Sequence, residues 1–311
     1  MAGDWTQIAG GKSGTLLTGC VRGANHVDKN LPCQDASLAS VRYFKGHPYV
    51  LLAVADGHGA ARYTRSELGA HFAVRAAAEA VARWVLFAVN CLENQADDWL
   101  INARNEFSQR FIRQLYQSWE RNVTEHLAAY PLELAGQGND LFKAYGTTVA
   151  LALIFHEQVF AGSIGDSTVF LVREEAGATK ALDLLTGEKS EGLGLATDSL
   201  ASADAIYKWK YKMLPLAKTH MIVAATDGFA DSLANPLQTL IALQRDTENK
   251  GLGWLEDKLE DFLSRLTEQG VGDDIATVFY FPPSSPRPAS SPEPSADIQQ
   301  NADSETGKPH D

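Results

Sequence analysis

Cysteines are scarce in this sequence: Cys20, Cys33 and Cys91 are the only three among 311 residues, and no two show Cys-x-x-Cys spacing. An odd number of cysteines without that spacing indicates neither a disulfide framework nor a thiolate zinc site. We therefore expect three free thiols that are buried in the fold.

Long hydrophobic runs are also missing. The longest apolar stretches, such as residues 149–155, fall far short of the roughly 20 residues that a membrane helix needs. Residues 1–11 contain no basic segment followed by an apolar one, which a secretory signal would require. We expect a soluble, cytoplasmic protein that has no membrane partner.

Clusters of lysine and arginine are absent as well, and the formal net charge at pH 7 is -12. Binding to the phosphates of nucleic acids requires such clusters, so the composition argues against a nucleic-acid partner. The hydrophobic content of 45% is enough for a substantial core, and the length suits one large domain or two small ones.

Four common catalytic patterns are missing too. The sequence has no Gly-x-Ser-x-Gly elbow, no Walker loop, no His-Glu-x-x-His helix and no calcium-loop spacing. These absences argue against the enzyme classes that those patterns mark.

Proline marks the end of the part that we expect to fold. Seven of the twelve prolines follow Phe281, and Ile298 is the only large aliphatic residue after that point. Such a segment cannot bury enough apolar surface to offset the entropy lost on ordering. We predict a globular domain over residues 1–281 and a disordered, acidic tail over residues 282–311.

Short apolar runs predict the strands, and helical spacing of large residues predicts the helices. The strand-like runs cover residues 37–43, 49–55, 149–155, 159–172, 221–225 and 275–281. The helical patterns cover residues 66–91, 96–130 and 253–269. Consecutive strands are joined mostly by short turns, which predicts antiparallel sheets covered by helices and argues against a βαβ repeat.

Five aspartates lie where an apolar run meets a turn: Asp35, Asp56, Asp166, Asp227 and Asp273. A single Asp-Gly pair is first of all a turn signal. An aspartate beside a strand end, next to a glycine that allows close approach of the backbone, can also offer oxygen ligands to a hard divalent cation. Neighbouring antiparallel strands share an edge, so Asp56, Asp227 and Asp273 can converge.

The ligand types favour particular metals. Carboxylates with few histidines and no paired cysteines favour Mg²⁺ or Mn²⁺ over Zn²⁺. Two such ions would polarise a phosphoryl group and lower the pKa of a water molecule, which provides a nucleophile without an activated serine or cysteine.

Six blocks of sequence carry a resemblance to a known family. They are residues 33–35 (Cys-Gln-Asp), 54–59 (Val-Ala-Asp-Gly-His-Gly), 146–148 (Gly-Thr-Thr), 165–167 (Gly-Asp-Ser), 225–231 (Ala-Thr-Asp-Gly-Phe-Ala-Asp) and 273–278 (Asp-Asp-Ile-Ala-Thr-Val). In order and spacing they resemble the metal-dependent type 2C protein serine/threonine phosphatases, most of all the compact bacterial members. The resemblance extends from Gly14 to Phe281.

The resemblance implies an α+β fold, in which an antiparallel β-sandwich is flanked on both faces by helix pairs. It also implies two Mn²⁺ or Mg²⁺ ions in a cleft at one end. By this resemblance Asp56 bridges both ions, Gly57 lends a backbone carbonyl to one of them, and Asp227 and Asp273 bind the first.

Further roles follow from the same resemblance. Asp35 resembles a residue that holds metal-bound waters, and Asp166 and Asp231 match positions of a third, weaker metal. His58 resembles the general acid that protonates the leaving serine or threonine oxygen. Simpler interpretations stay open, because His58 and Asp166 also suit turns, and Asp274 can merely cap the turn where the family more often has asparagine.

Three features depart from the family pattern. Gln34 stands where many members have an acidic residue. The family's phosphate-gripping arginine lies a few residues before that position, but residues 25–32 intervene here, so Arg22 and His26 are rival candidates. We favour Arg22, because a guanidinium stays charged and grips phosphate with two hydrogen bonds. The flap region at residues 184–194 is not recognisable, which leaves substrate preference open.

These features predict a Mn²⁺- or Mg²⁺-dependent phosphatase that acts on phosphoserine and phosphothreonine in proteins and opposes a serine/threonine kinase. Two alternatives stay open: a catalytically silent member that binds phosphoproteins, and a phosphatase of small phosphorylated metabolites. The intact set of Asp56, His58, Asp227 and Asp273 argues against the silent member.

Overall fold

The computed structural model of the chain describes residues 6–9, 13–94, 97–132, 141–185 and 197–283. The strands are β1 Thr6–Ala9, β2 Thr15–Val21, β3 Ala36–Phe44, β4 His47–Ala55, β5 Val149–Phe155, β6 Gln158–Ile164, β7 Thr168–Glu175, β8 Ala178–Asp183, β9 Lys210–Pro215, β10 Thr219–Ala225 and β11 Ile275–Phe281. The α-helices are α1 Ala24–Asp28, α2 Ser66–Asn94, α3 Trp99–Gln109, α4 Phe111–Ala129, α5 Asp227–Asp231, α6 Pro236–Lys250 and α7 Leu252–Gln269.

The strands form two antiparallel sheets. The six-stranded sheet has the order β1-β2-β11-β10-β7-β8, and the five-stranded sheet has the order β3-β4-β5-β6-β9. Every pairing between neighbouring strands is antiparallel. The antiparallel sheets predicted from the short turns are confirmed.

The central strands are apolar on both faces because both faces are buried. In β4, Val50, Leu52 and Val54 point into the layer between the two sheets. Leu51 and Ala53, at the alternate positions, face the helices that cover the five-stranded sheet. Successive side chains of a strand point to opposite faces, so one continuous apolar run supplies two layers of the core.

Helices cover the outer face of each sheet. On the five-stranded sheet, Trp84 of α2, Phe107 of α3 and Trp119 of α4 are fully buried. On the six-stranded sheet, α7 buries Leu259 and Leu263. The result is the predicted order of helix, sheet, sheet and helix. No helix in the described ranges is long and apolar enough to cross a membrane.

The predicted strand over residues 159–172 is wrong as a single element. Its first half is β6 of the five-stranded sheet and its second half is β7 of the six-stranded sheet. The chain crosses between the sheets at residues 165–167. Both halves are buried, and the Gly165-Asp166-Ser167 turn between them is the signal that the prediction of one strand overlooked.

The predicted helix over residues 96–130 is also wrong as a single element, because α3 ends at Gln109 and α4 begins at Phe111. The sequence reading missed β1, β2, β8, β9, α1, α5 and α6. Helix α6 buries Gln244 and Thr247 beside Leu240, so its hydrophobic stripe is weak. Its start carries a readable signal, since the Asn235 side chain accepts a hydrogen bond from the Gln238 N–H (3.1 Å).

The three thiols are free, as expected, but only Cys91 is buried. Cys20 and Cys33 are half-buried, and their Sγ atoms lie 3.4 Å apart. The predicted tail lies outside the described residues from residue 284 onward, and so does most of the flap region. Both of those expectations therefore stay predictions.

Helix α2 approaches the 3-10 helix Phe142–Tyr145 so closely that a Cβ on Gly69 would lie 2.0 Å from the carbonyl oxygen of Tyr145. Alanine normally stabilises a helix interior by about 1 kcal/mol relative to glycine. We nevertheless expect Gly69→Ala to lower the melting temperature, measured by circular dichroism. The added Cβ would force the backbone of α2 or of the 3-10 helix to move. The control is Gly253→Ala in α7, where no atom lies within 4 Å of the added Cβ. A melting temperature of Gly69→Ala at or above that of the native protein would contradict this account.

Candidate functional site

Three aspartates meet at one end of the sandwich. Asp56 follows β4 of the five-stranded sheet, Asp227 opens α5 just after β10 of the six-stranded sheet, and Asp166 lies at the crossover between β6 and β7. One carboxylate oxygen from each residue lies within 4.8 Å of the other two. The site therefore forms only when the two sheets pack face to face.

Asp273 lies beside this group, directly before β11. Strands β10 and β11 are antiparallel with Ala225 opposite Thr277, so the end of one and the start of the other share an edge. The Oδ1 atom of Asp273 accepts a hydrogen bond from the Asp274 N–H (2.9 Å). Asp273 is not one of the three residues whose oxygens lie within 4.8 Å of one another.

The carboxylates repel one another. Burial, and then the charges of Asp227 and Asp166, raise the pKa of Asp56 well above its ordinary value. Burial, and then the charge of Asp166, raise the pKa of Asp227 to about 7. Asp273 adds to both shifts, and Asp231 adds to that of Asp227. Carboxylates this close do not all ionise at neutral pH unless a cation is bound among them.

Asp35 adds a further buried carboxylate near Asp56. Its residue surface is only 5% exposed, and its Oδ2 atom has no hydrogen-bond partner among the described residues. Burial, and then the charge of Asp56, raise the pKa of Asp35 well above its ordinary value. A buried carboxylate oxygen without a partner is unfavourable unless something else satisfies it.

The donor set fits a hard divalent cation. The three converging ligand atoms are carboxylate oxygens, and neither histidine nor cysteine belongs to the group. Asp166 Oδ1, like Asp35 Oδ2, is buried without a partner in the described part of the chain. Oxygen-only sets of this kind favour Mg²⁺ or Mn²⁺, whereas Zn²⁺ sites usually contain histidine or cysteine.

Hydrogen bonds hold the backbone of the loop that presents Asp56. Its carbonyl oxygen accepts hydrogen bonds from the Thr148 N–H and the Thr147 hydroxyl, both at 2.8 Å, and its own N–H donates to Thr148 Oγ1 at 3.0 Å. A Cβ on Gly57 would lie 2.6 Å from the carbonyl oxygen of Gln34. Glycine at position 57 therefore lets this loop lie against the segment that carries Asp35.

His58 is half-buried, and its ring packs on Tyr63 with the ring centroids 4.8 Å apart. Its Nε2 atom is buried and has no hydrogen-bond partner in the part of the chain that the structure describes. Burial lowers the pKa of His58, while the charge of Asp166 raises it and that of Arg62 lowers it. The ring therefore has a buried nitrogen that no group in the described residues satisfies.

The two residues assigned to a third metal differ in their surroundings. Asp166 belongs to the three-oxygen group, and its Oδ2 atom accepts a hydrogen bond from the Thr197 hydroxyl (2.7 Å). Asp231 is exposed at the end of α5. Its negative charge acts on Asp227, which lies one helical turn earlier.

A buried carboxylate next to the site ties three chain segments together. Asp274 Oδ1 accepts a hydrogen bond from the Gly23 N–H (2.6 Å), and Oδ2 accepts from the Gln34 N–H (2.6 Å) and from His26 Nδ1 (2.8 Å). We call these four residues the Asp274 clasp. In contrast to a mere turn cap, Asp274 joins the entry to α1, the Gln34 segment and the start of β11.

The clasp gives His26 a role other than the one considered from the sequence. Its side chain is 11% exposed and its Nδ1 atom faces Asp274, so we infer that it positions the neighbouring segments. Arg22 donates from Nη1 to the carbonyl oxygen of Leu31 (3.3 Å). It also lines a cavity beside α7, and none of the site aspartates lines that cavity.

Sequence reasoning missed the clasp and missed the packing of Tyr63 against His58. One signal could have revealed the clasp. Asp274 stands where the family more often has asparagine, and His26 belongs to the stretch that interrupts the family pattern. Two departures from one pattern suggest that the residues compensate for each other, and here they are in contact.

Comparison with known proteins assigns this site to a family. A profile described as Protein phosphatase 2C matches residues 22–264. The chain belongs to the protein phosphatase 2C family. The family predicted from the six sequence blocks is therefore confirmed, and the chain is a protein serine/threonine phosphatase by family. The matched range includes the three converging aspartates and ends before the clasp residue Asp274.

Solved structures of phosphatases share the fold. Serine-threonine phosphatase 2C from Toxoplasma gondii has a TM-score of 0.58 at 12% identity, covering 89% of this chain and 99% of that one. A bacterial serine phosphatase has 0.54 at 13%, covering 87% and 98%. Stp1 from Staphylococcus aureus has 0.50 at 17%, covering 89% and 99%. At these identities the likeness shows the fold alone. A search of curated proteins found no match.

Removal of the His26 ring should weaken the clasp. A hydrogen bond to a charged group contributes about 1.5–3 kcal/mol, so we expect His26→Ala to lower the free energy of unfolding by an amount of that order. Urea denaturation measures this change. The control is His71→Ala, at an exposed position of α2, which should leave stability nearly unchanged. Equal stability of His26→Ala and native protein would show that the hydrogen bond to Asp274 does not hold these segments.

Proposed function

We propose that this family member hydrolyses phosphoserine and phosphothreonine in proteins with two bound Mn²⁺ or Mg²⁺ ions. The observation that carries the proposal is the convergence of carboxylate oxygens from Asp56, Asp166 and Asp227 within 4.8 Å in a chain of the protein phosphatase 2C family. A member that only bound phosphoproteins would have no need of several mutually repelling carboxylates at one sheet end. We further propose that its substrates are the products of a serine/threonine kinase.

The ligands that we propose follow the family assignment. Asp56 would hold both ions, the carbonyl of Gly57 would hold one of them, and Asp227 and Asp273 would hold the first. Asp35 would act through water, and its unpartnered Oδ2 atom supports that role. When bound, the ions would polarise the phosphoryl group and lower the pKa of a water molecule.

Asp166 supports the proposal of a weaker third ion. It lies in the three-oxygen group and has one unpartnered oxygen. Asp231, the other residue proposed for that ion, is exposed, so it would hold the ion from the solvent side. An exposed carboxylate is rehydrated by solvent when it releases its ligand, which favours release and is consistent with weak binding.

The protein's own residues prepare the site and move the proton. Thr147 and Thr148 hold the backbone of Asp56, so its carboxylate is fixed before substrate arrives. We propose that His58 donates a proton to the serine or threonine oxygen as it leaves, and its unpartnered, buried Nε2 atom supports this role. Of the two phosphate anchors considered from the sequence, Arg22 stays a prediction, while the contact with Asp274 gives His26 a positioning role.

Turnover of a phosphothreonine peptide should require added Mn²⁺ or Mg²⁺ and stop in excess chelator, because hard oxygen sites bind these ions only moderately. Asp56→Asn and Asp227→Asn should each remove nearly all turnover, whereas Asp257→Asn, at an exposed position of α7, should not.

In chelator, the Asp56→Asn and Asp227→Asn variants should melt at or above the melting temperature of the native protein, because each removes a charge that burial and repulsion disfavour. Full activity in chelator, or turnover of small phosphorylated metabolites only, would overturn the proposed function.

The proton-donor role of His58 predicts a dependence on the leaving group. His58→Ala should slow hydrolysis of a phosphothreonine peptide by roughly 10²–10⁴-fold, the usual contribution of a positioned general acid. An aryl phosphate hardly needs protonation on departure, so its hydrolysis should be affected far less. Comparing kcat for the two substrates measures this difference. Equal losses would mean that His58 serves structure or metal positioning.

A further inference from the structure

A phosphate dianion that enters this site meets mostly negative charge. The aspartates at positions 35, 56, 166, 227 and 273 lie together at one end of the sandwich. Bound cations neutralise part of this charge, but recognition of the phosphoryl group also benefits from a positively charged side chain. Of the two basic residues considered from the sequence, His26 contacts Asp274, and Arg22 lines the cavity beside α7.

Arg62 is another basic residue near the proton donor. It lies on the exposed turn that follows the Asp-Gly-His-Gly block, four residues after His58. Its Nη2 atom donates a hydrogen bond to the hydroxyl of Tyr63 (2.7 Å), and its guanidinium carbon lies 4.7 Å from the centre of the Tyr63 ring. In the described part of the chain it makes no ion pair.

Tyr63 links Arg62 to the site. Its ring also contacts the ring of His58, at 4.8 Å between centroids and tilted by 52°. Gly146 permits this contact, because a Cβ there would lie 2.5 Å from Tyr63 Cδ1 and 2.9 Å from His58 Cδ2. The positive charge of Arg62 is close enough to oppose protonation of His58, although burial has the larger effect on its pKa. The contacts of Tyr63 thus link the guanidinium of Arg62 to His58, whose pKa also responds to the charge of the site carboxylate Asp166.

We propose that Arg62 binds the phosphoryl group of the substrate on the His58 side of the site, and that Tyr63 positions it there. This inference rests on the proposed function. A guanidinium has five N–H donors, and the Tyr63 hydroxyl takes only one of them. Two parallel donors match the oxygens of a phosphate. The exposed position leaves that face open to a substrate that arrives from solvent.

The test compares kinetics of four variants with those of the native protein in Mn²⁺. Native turnover of p-nitrophenyl phosphate and of a phosphothreonine peptide is measured first, because its absence would refute the proposed function and not the role of Arg62. The variants are Arg62→Ala, Arg62→Lys, Tyr63→Phe and the matched control Arg245→Ala, at an exposed position of α6. Inhibition by inorganic phosphate provides a readout of binding that does not depend on the leaving group.

Arg62→Ala should raise KM for both substrates and the inhibition constant of inorganic phosphate by roughly 5- to 20-fold, with a smaller change in kcat, because a charge-assisted contact is lost at an exposed site. It should also make KM less sensitive to salt. Arg62→Lys should recover part of the lost phosphate binding, because lysine keeps the positive charge but lacks the two parallel N–H donors of a guanidinium. Tyr63→Phe should give an intermediate effect, because it keeps the ring against His58 and removes the hydroxyl that positions Arg62. Arg245→Ala should match the native protein.

Three outcomes would overturn the inference. Unchanged phosphate inhibition in Arg62→Ala would show that Arg62 does not contact the phosphoryl group. An increase in KM for the peptide but not for p-nitrophenyl phosphate would mean that it contacts the residues flanking the phosphorylated side chain. Arg22→Ala is measured in the same way as a fifth variant, and a larger effect of Arg22→Ala than of Arg62→Ala on phosphate inhibition would assign the phosphate contact to Arg22.

Discussion

The mutual repulsion of buried carboxylates is the constraint on which the rest of this structure depends. Asp56 and Asp227 come from different sheets, and Asp166 from the crossover between them. Holding such charges together is unfavourable, and the packing of the two sheets must supply the free energy that offsets their repulsion. The continuous apolar strands, buried on both faces, make that packing strong enough to hold the charges together. A cation of the proposed kind would attract each of these carboxylates and so offset their mutual repulsion.

Two buried carboxylates near the site show how structural and functional aspartates differ. Asp274 is satisfied by three donors from Gly23, Gln34 and His26. Burial raises the pKa of Asp274, and the hydrogen bonds from Gln34 and Gly23 act in the opposite direction. Asp35 is equally buried, yet its Oδ2 atom has no partner among the described residues. Asp274 organises the chain, whereas Asp35 keeps one oxygen without a partner, as the role proposed for it requires.

Short turns and apolar periodicity predicted the antiparallel sheets and their covering helices, because these signals are local. The six sequence blocks predicted the family, and the resemblance to it implied the sandwich. The crossover inside residues 159–172 was not predicted, because the apolar runs on either side of Gly165-Asp166-Ser167 were joined into one strand, and the change of sheet at that turn depends on distant pairing. It also missed α6, whose buried face includes Gln244 and Thr247. The environment of His26 was not predicted, because its partner Asp274 is distant in sequence and belongs to another element, and only the two departures from the family pattern pointed to the pair.

The pairing of β2 with β11 has a consequence for synthesis of the protein. These strands lie near the two ends of the described chain, and Gly19 pairs with Thr277. A chain emerging from the ribosome can complete the five-stranded sheet, with Asp56 at its end, while the six-stranded sheet still lacks β11 between β2 and β10. Because Asp273 arrives only with that last strand, an unfinished copy lacks both a closed sandwich and one proposed metal ligand. Phosphate cleavage would thus be restricted to copies whose translation has passed β11.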